Sequence, residues 1–373
     1  MYAEEPRRYP TDIMAPGTAH AGRVVSSYNE WDPLEEVIVG VMHGASVPPW
    51  HVALRATMPA RYWEFFREHG GKPFPPEQVA AANRDLDCLA HILEAEGVTV
   101  RRPEIADHSR PYATPDWRCD GGMYAAMPRD CLLVVGDEII EAPMPWRSRY
   151  FEIHHYRPLL KEYFRQGARW SAAPKPQLPD ELYDQDYTEP PEGAMRFIIN
   201  DFEPTFDAAD FIRCGTEIFY FKSHVTNDFG VQWLSRHLGP SYRFIELSCN
   251  DVHRMHIDTT FLPLAPGKML VNPDRVQSLP AIFDSWDVLE APRPCTPDHV
   301  PLYMSGKWLS MNVLSLDEER VLVAAHEETL IRALDDWGFR PIPCPFQSFY
   351  SFGGSIHCAT LDVRRRGILQ SYF

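Results

Sequence analysis

The sequence predicts an α/β fold made of repeated units, each with the order strand, strand, helix, strand. Three observations predict it. From residue 205 onward, one pattern of apolar runs recurs at a spacing of roughly 50 residues. A turn signal such as Pro266-Gly267 separates the first two runs of a unit. A helical stretch then ends at a glycine, Gly239 or Gly338, before the last run.

Each element is predicted from its period, strands from short apolar runs and helices from apolar residues three or four positions apart. The predicted boundaries in chain order are a strand at 34–39, a helix at 77–95, strands at 98–101, 131–135 and 138–141, a helix at 149–163, strands at 210–214 and 217–221, a helix at 229–237, strands at 242–247, 260–264 and 268–271, a helix at 279–283, strands at 287–289, 311–314 and 321–325, a helix at 327–337 and a strand at 340–342. The first unit then lacks one hairpin strand, which the run at 359–363 supplies. Five units would close into a ring with both ends of the chain in one unit; an open α/β sheet covered by helices is the alternative.

Composition narrows the class of protein. The chain has 373 residues, of which 45% are hydrophobic and 24% charged, as in a folded globular protein. Its formal net charge of -16 argues against binding to nucleic acid or to an anionic membrane surface. The eight cysteines form no CxxC pair, so they are predicted to be reduced thiols of a cytoplasmic protein. Residues 1–22, which contain prolines, are predicted to be a flexible arm before a single domain at 23–373.

Residues capable of chemistry recur at or just before the first strand of the units. They are Asp130, Asp207, Asp210, His256, Asp258 and Cys358. If the units surround one axis, these side chains converge on a negatively charged pocket that contains a thiol. Taken singly, each has an ordinary structural explanation: Cys358 as a small buried residue, His256 as a core histidine, Asp207 as a turn or helix cap. Their shared position in the units is what indicates a site.

A pocket with carboxylates and a thiol suits a planar, cationic substrate. A guanidinium presents five N–H donors in a fork that paired carboxylates accept. Its central carbon is electrophilic, and a thiolate beside a histidine can attack it. The sequence therefore predicts chemistry on a guanidinium, with Cys358 as nucleophile.

Cofactors are not indicated. There is no CxxC or HExxH spacing for zinc, and most candidate ligands lie on separate units, so no metal is predicted. There is also no GxGxxG or GxxxxGK[ST] segment, so no nucleotide cofactor is predicted.

Several long segments carry a family resemblance. They are SSYNEWDPLEEVIVG at 26–40, APKPQLPDELYDQDY at 173–187, FEPTFDAADFIR at 202–213, KWLSMNVLSLDE at 307–318 and HCATLDVRRRG at 357–367. With these segments the chain closely resembles the L-arginine:glycine amidinotransferases over residues 25–373. The resemblance implies the pentein fold, an α/β propeller of five ββαβ units around a pseudo-fivefold axis. It also implies a homodimer that acts on small molecules without a cofactor.

The resemblance assigns roles residue by residue. It implies Cys358 as nucleophile, His256 as general acid and base, and Asp207 as the carboxylate that orients His256 and stabilises charge on it and on the guanidinium. The residues implied in substrate binding are Asp130, Asp258, Arg275, Ser305 and Met255, with Arg275 taking the α-carboxylate of the donor and Ser305 assisting. The implied reaction is ping-pong: the amidino group of L-arginine passes to Cys358, ornithine leaves, and glycine or another primary amine takes the group.

The chain departs from the glycine-using members at a few positions, which leaves the acceptor open. It has Ser305-Gly306 in place of two serines, and His253-Arg254 in place of Asn-Pro. Its nucleophile loop has Ser355 after two glycines, in place of a third glycine. The alternatives are the same chemistry on an amine of natural-product biosynthesis, hydrolysis of arginine to citrulline, and a propeller scaffold without catalysis. His357, next to the nucleophile, has either a packing or a catalytic role.

Overall fold

The computed structural model describes residues 23–191 and 194–373, and the flexible arm predicted at 1–22 lies outside the described residues. Within these ranges the strands form five three-stranded sheets and one two-stranded sheet. The three-stranded sheets are Thr360–Arg365 with Leu34–Val39 and Thr99–Arg101; Leu132–Val135 with Glu138–Glu141 and Arg169–Ala172; Phe211–Cys214 with Glu217–Tyr220 and Arg243–Glu246; Phe261–Ala265 with Lys268–Val271 and Asp287–Glu290; and Leu314–Ser315 with Arg320–Ala324 and Arg340–Cys344. We refer to them as units 1 to 5 in that order. The small sheet pairs Tyr112–Ala113 with Arg118–Cys119.

Every unit has the same strand arrangement, as the repeated pattern predicts. The middle strand pairs antiparallel with the first strand and parallel with the last. The turn between the first two strands needs a left-handed residue in three units, which glycine supplies at Gly136, Gly215 and Gly267. The antiparallel pair needs only a short turn, whereas the parallel pair needs a crossover.

In the described ranges, all α-helices but Pro128–Cys131 lie in those crossovers, and Pro128–Cys131 comes directly before the first strand of unit 2. The α-helices are Trp63–His69, Pro76–Ala95, Pro128–Cys131, Arg157–Arg165, Asp228–Leu238 and Glu328–Asp336, while unit 4 has the short 3-10 turn Ala281–Phe283 in its crossover. Gly239 ends the helix of unit 3 with φ 73°, as predicted. No helix in residues 23–191 and 194–373 is both long and apolar enough to cross a membrane.

Unit 1 is assembled from both ends of the described chain. Its middle strand, Leu34–Val39, pairs antiparallel with Thr360–Arg365, with Val37 opposite Asp362 and Val39 opposite Thr360. The run at 359–363 therefore supplies the missing hairpin strand, as predicted.

Polar contacts join each unit to the next. Arg129 Nε, just before unit 2, donates to the carbonyl of Thr360 in unit 1 at 3.0 Å. Arg213 of unit 3 donates to the carbonyl of Val134 at 2.9 Å. Asp210, just before unit 3, accepts the N–H of His256 before unit 4 at 2.8 Å. The last two contacts are Ser315 Oγ to the carbonyl of Leu264 and Arg365 Nη2 to the carbonyl of Ser315, both 2.9 Å.

These contacts give the units a cyclic order, from unit 1 through unit 5 and back to unit 1. The open sheet that the pattern left as an alternative is wrong, because no two units share a sheet among the described residues.

Two predicted boundaries are wrong. The helix predicted at 149–163 begins only at Arg157, after the 3-10 turns Arg147–Arg149 and Glu152–His155. Pro158 has no N–H to donate to the preceding turn, so it is tolerated only in the first turn of a helix. The strand predicted at 311–314 is also shorter, because Lys307–Met311 forms a 3-10 helix and the strand is Leu314–Ser315.

The hydrophobic core is divided among several clusters of buried residues. Buried apolar residues form four clusters, and the largest of them contains Cys358 and Met127. The first hairpin strands of units 1 to 4 are buried along nearly their whole length, whereas the last strand of most units is partly exposed. The buried ends of the first strands thus face the interior, and the residues just before them define the candidate site.

Candidate active site

One cavity of about 360 Å³ lies at the ends of the first strands. Of the residues predicted for the site, those that line it are Cys358, His256, Asp130, Asp258, Arg275, Ser305 and Met255. Neither Asp207 nor Asp210 lines the cavity: Asp207 lies behind His256, and Asp210 accepts the backbone N–H of His256. The structure therefore brings the whole predicted set together, with Asp207 one layer further from the space where a substrate would bind.

Cys358 sits in a tight loop between the 3-10 helix Phe349–Phe352 and the strand of unit 1. The N–H groups of Cys358 and Ser355 donate to Asn312 Oδ1 at 2.9 and 3.2 Å. The N–H of His357 donates to the carbonyl of Asn312 at 3.2 Å. Gly354 permits the loop to close, since a Cβ there would lie 3.0 Å from Cys358 Cβ and 2.5 Å from Met127 Cε. One asparagine from unit 5 thus fixes the nucleophile loop.

The Cys358 thiol is in its protonated form in the free protein. Burial raises the pKa of this thiol to about 12, and the neighbouring Asp258 carboxylate adds to the rise, while His256 opposes it. Sγ lies 3.6 Å from Asp258 Oδ2. Positive charge in addition to that of His256 is therefore needed before the thiolate forms near neutral pH.

His256 has an unusual backbone conformation. Its φ is 59° and its ψ is 120°, a region that favours glycine and that strains other residues by about 1–3 kcal/mol. The N–H of His256 donates to Asp210 Oδ1 at 2.8 Å, and Asp210 is in turn held by the hydroxyl groups of Ser223 and Thr226. This buried acceptor offsets the strain and directs the imidazole toward Cys358.

The imidazole of His256 lies between two carboxylates. Nε2 is 3.0 Å from Asp207 Oδ2, and Nδ1 is 3.6 Å from Asp130 Oδ1. Burial lowers the pKa of His256, but the charge of Asp130 and hydrogen bonds with Asp207 and Cys358 raise it, and the net pKa is well above its usual value. His256 is therefore an imidazolium near neutral pH, ready to give a proton to a leaving amine.

Two carboxylate oxygens on the cavity wall accept no hydrogen bond from the described part of the chain. They are Asp130 Oδ1 and Asp258 Oδ1, and both are buried. The other oxygens of these residues are used: Asp130 Oδ2 accepts from Arg149 Nη1 at 2.8 Å, and Asp258 Oδ2 lies 2.7 Å from His357 Nδ1. An unpaired buried acceptor is unfavourable. A cationic group with several N–H donors would satisfy both.

Arg149 supports this wall from inside the protein. It is fully buried and forms a two-point pair with Glu152, with N–O distances of 2.6 and 2.9 Å, besides its bond to Asp130. Its Nη1 is also 3.8 Å from Asp207 Oδ2. The 3-10 turns around Arg149 therefore position the two acids that flank His256.

The outer part of the cavity contains an arginine side chain, and apolar methionines also line the cavity. Arg275 Nη1 donates to Thr259 Oγ1 at 2.9 Å, and Arg275 Nη2 pairs with Asp251 Oδ2 at 2.9 Å. Ser305 and Met255 also line this cavity. Five methionines line the cavity, namely Met58, Met123, Met127, Met255 and Met304. Such flexible, apolar side chains suit a methylene chain that ends in a polar group near Arg275.

Three residues of the site were not assigned a role from the sequence: Asn312, Arg149 and His357. Asn312 stands two residues before the first strand of unit 5, as Asp130 and Cys358 do in units 2 and 1. This position relative to the strand marks Asn312 as a candidate site residue, although an asparagine has no catalytic group that would single it out. The sequence pattern predicts a helix at Arg149, and a helix there does not indicate the position of Arg149 beside Asp130.

One group of possible metal ligands occurs among the described residues. The donor atoms of Asp130, His256 and Cys358 lie within 4.8 Å of one another. Zinc accepts such a set, with the fourth position left for water or substrate. The expectation that the protein needs no metal stays a prediction, which a chelator tests.

Comparisons with known proteins bear on this site. No protein-family model matches the chain. The chain is 56% identical over 349 residues to the L-arginine:L-lysine amidinotransferase of Pseudomonas savastanoi pv. phaseolicola, covering 93% of this chain and 96% of that protein. It is 51% identical over 358 residues to the mitochondrial glycine amidinotransferase of Danio rerio, covering 94% of this chain and 85% of the relative. The chain belongs to the amidinotransferase family.

Solved structures show the fold of this amidinotransferase. An amidinotransferase of the saxitoxin biosynthetic pathway from Microseira wollei matches with a TM-score of 0.87 and 53% identity, over 94% of this chain and 99% of that one. The inosamine-phosphate amidinotransferase of Streptomyces griseus matches with a TM-score of 0.86 and 38% identity, over the same shares of 94% and 99%. A DDAH from Pseudomonas aeruginosa, at 14% identity and a TM-score of 0.56 over 88% of this chain and 99% of that one, shares the fold alone. The amidinotransferase has the pentein fold.

Proposed function

We propose that this amidinotransferase moves the amidino group of L-arginine to Cys358 and then to a primary amine, with release of ornithine. The observation that carries the proposal is that the buried side chains of Asp130 and Asp258 each leave one oxygen without a hydrogen bond beside the Cys358 thiol. A guanidinium placed between them donates to both and brings its central carbon to the sulfur. The predicted roles of the site residues are part of this proposal.

The donor fits the cavity along its length. The guanidinium lies at the inner end between the two acids, the methylene chain contacts the methionines, and the α-carboxylate approaches Arg275 and Ser305 at the outer end. The positive charge of the bound guanidinium lowers the pKa of the Cys358 thiol, because it offsets the effect of Asp258. Binding of the donor thereby produces the nucleophile.

The first half-reaction then follows from the geometry. When the donor binds, the thiol proton is lost to solvent; the Cys358 thiolate then bonds to the central guanidinium carbon, and the bond from that carbon to the ornithine nitrogen breaks. The His256 imidazolium gives its proton to that nitrogen, so ornithine leaves as a neutral amine. Asp207 stabilises the imidazolium before the transfer. The cationic amidino-cysteine stays between Asp130 and Asp258.

In the second half-reaction the acceptor amine takes the place of the ornithine amine. It attacks the amidino carbon, His256 accepts its proton, and the bond to sulfur breaks. The relatives named above point to glycine and L-lysine as acceptors to test, and the saxitoxin-pathway structure points to an amine of natural-product biosynthesis. We propose glycine or another primary amine of this kind.

The acceptor is identified by a panel experiment. The purified protein is incubated with L-arginine and either glycine, L-lysine, 4-aminobutyrate, ethanolamine or no amine, and ornithine and the guanidino product are measured by mass spectrometry. We expect fast ornithine release with at least one amine, and one stoichiometric release without amine. Continuous citrulline formation without amine would instead identify an arginine hydrolase. Activity that EDTA removes and zinc restores would contradict the metal-free mechanism.

The covalent step is tested with substitutions. Cys358→Ser should abolish ornithine release and the mass increase of the amidino adduct, since the hydroxyl is a far weaker nucleophile.

Asp207→Asn should lower kcat by at least about 100-fold by disturbing the protonated state of His256. Cys88→Ser, which lies outside the cavity, is the matched control and should behave as the parent. An adduct on Cys358→Ser or unchanged kinetics in Asp207→Asn would contradict these roles.

A further inference from the structure

His357 joins two carboxylates that come from distant parts of the chain. Its Nδ1 lies 2.7 Å from Asp258 Oδ2, and its Nε2 lies 3.4 Å from Glu30 Oε2. All three side chains are buried, and His357 itself does not line the cavity. The site thus has a second histidine between two acids, on the side of Asp258 that faces away from the substrate space.

We propose that His357 is a positioning residue that holds the Asp258 carboxylate with Oδ1 toward the guanidinium of the donor. This inference rests on the proposed function, because it concerns how the same site binds arginine. His357 touches neither the donor nor the reacting sulfur in this arrangement, so it acts through Asp258.

The first argument is the freedom of the aspartate. The terminal torsion of an aspartate side chain is broad, so the plane of the carboxylate can rotate and change the directions of its two oxygens. In Asp258, Oδ2 is engaged by His357 and lies 3.6 Å from Cys358 Sγ, while Oδ1 has no partner in the described ranges. The hydrogen bond from His357 therefore fixes the plane of the carboxylate and the direction in which its other oxygen points.

The second argument is that the other end of His357 is anchored. Arg213 donates to Glu30 through Nε and Nη2, with distances of 2.9 and 3.0 Å, and Arg129 Nη1 is 3.3 Å from Glu30 Oε2. Arg213 is itself tied to the carbonyl of Val134 in unit 2. The imidazole is therefore held by a buried carboxylate that two arginines keep in place.

The third argument is charge. Burial raises the pKa of Asp258, but the hydrogen bond and charge of His357, followed by the charges of His256 and Arg129, bring the net pKa below its usual value. The remaining ionisable group that faces Asp258 is the Cys358 thiol. Removal of the bond from His357 should raise the pKa of Asp258 and weaken its hold on a cation at low pH.

Two substitutions of His357 separate positioning from packing. In His357→Asn the amide nitrogen takes the place of Nδ1 and keeps the bond to Asp258. In His357→Gln the amide nitrogen takes the place of Nε2 and keeps the contact with Glu30. Both remove the ring, so a role in packing alone predicts similar losses for both. His108→Gln is a control for loss of a buried histidine outside the cavity.

The experiment measures arginine binding by calorimetry in the Cys358→Ser background, where no turnover occurs. We expect His357→Asn to keep most of the affinity, and His357→Gln to lose about tenfold or more because a charged hydrogen bond is lost. We also expect the acidic fall of binding to move to higher pH in His357→Gln, and His108→Gln to bind like its parent.

The outcomes distinguish the two proposals. If Cys358→Ser with intact His357 does not bind arginine, the proposed function fails. If it binds arginine and His357→Asn and His357→Gln weaken binding equally, or neither does, the positioning role of His357 is overturned.

Discussion

Under the proposed mechanism, the protonated Cys358 thiol sets the pH dependence of the first half-reaction. Its pKa of about 12 in the free protein and the raised pKa of His256 mean that the thiol and the imidazolium coexist near pH 7. The rate of ornithine release in a single turnover at subsaturating arginine should therefore rise with pH as more thiolate forms, and then fall where His256 loses its proton, above its usual range. Stopped single-turnover assays across pH test this. A rate that falls steadily with pH from the acid side would contradict it.

The free thiol should also react slowly with alkylating agents. We expect the iodoacetamide reaction of Cys358 at pH 8 to be slower than that of a peptide cysteine, because burial disfavours the thiolate. Peptide mapping of the alkylated protein measures the rate at Cys358 alone. Fast alkylation without any substrate would show that the thiolate forms without the donor.

Asn312 is the residue that holds the nucleophile loop, and its loss has a distinct signature. Asn312→Ala leaves the N–H groups of Ser355 and Cys358 without their acceptor, at about 1–3 kcal/mol for each buried group. We expect kcat to fall by at least about tenfold while arginine binding in the Cys358→Ser background changes little. Ser310→Ala, a nearby buried residue without such contacts to the loop, is the control. Equal loss of kcat in both variants would remove Asn312 from this role.

At the scale of elements, one close approach links the helix of unit 3 to the site. A Cβ at Gly230, in the first turn of Asp228–Leu238, would lie 2.2 Å from the carbonyl oxygen of Thr205, two residues before Asp207. Gly230→Ala should therefore shift this segment, destabilise the protein by about 1–3 kcal/mol and lower kcat through Asp207. Gly97→Ala, whose Cβ would meet nothing within 4 Å, controls for glycine loss although its φ of 88° adds strain. Wild-type kcat in Gly230→Ala would contradict this coupling.

The elements that were predictable from sequence share local causes. Hairpins around Gly136, Gly215 and Gly267 follow from alternation and from the need of the turn for a left-handed residue. The placement of acids, histidine and cysteine just before first strands also followed, since it needs only the register of each unit.

The elements that differ from the prediction depend on contacts with residues outside the local segment. The segment around Arg149 has helix-forming residues, yet it turns in 3-10 form, and its Arg149 pairs with Asp130. The segment 311–313 has the apolar character of a strand, but its backbone and Asn312 are used by the nucleophile loop of unit 1. Neither partner is near in sequence, so no local pattern could indicate it.

At the scale of the whole molecule, a buried group of charges lies where the units meet. Arg213 of unit 3 pairs with Glu30 and with Asp362 of unit 1, and Arg129, before unit 2, pairs with both acids as well. Burial raises the pKa of Glu30, but Arg213 and Arg129 bring it well below its usual value. These charges are paired and hydrogen-bonded, which is the condition for keeping ions in a core.

Removal of one charged side chain from this group should strongly lower the stability of the protein. Arg213→Met leaves carboxylates under-neutralised in the interior, and we expect a loss of about 3–5 kcal/mol in the free energy of unfolding. Denaturant titration followed by fluorescence measures it. Arg118→Ala, in an exposed pair with Asp120, is the control and should change stability by less than about 1 kcal/mol. Similar small losses in both variants would show that the buried group adds little.

Unit 1 combines strands from distant parts of the chain, and this has a consequence during protein synthesis. The strand Leu34–Val39 leaves the ribosome long before its partner strand exists, since Glu35 and Arg364, which pair at 3.0 Å, are 329 residues apart. One edge of that strand must therefore wait unpaired while the other units form, which makes the nascent chain slow to complete and open to wrong pairing. The catalytic thiol, borne just before the late strand, is put in place only by this final closure. Under the proposed mechanism, a partly made chain is therefore expected not to react with arginine before unit 1 is complete.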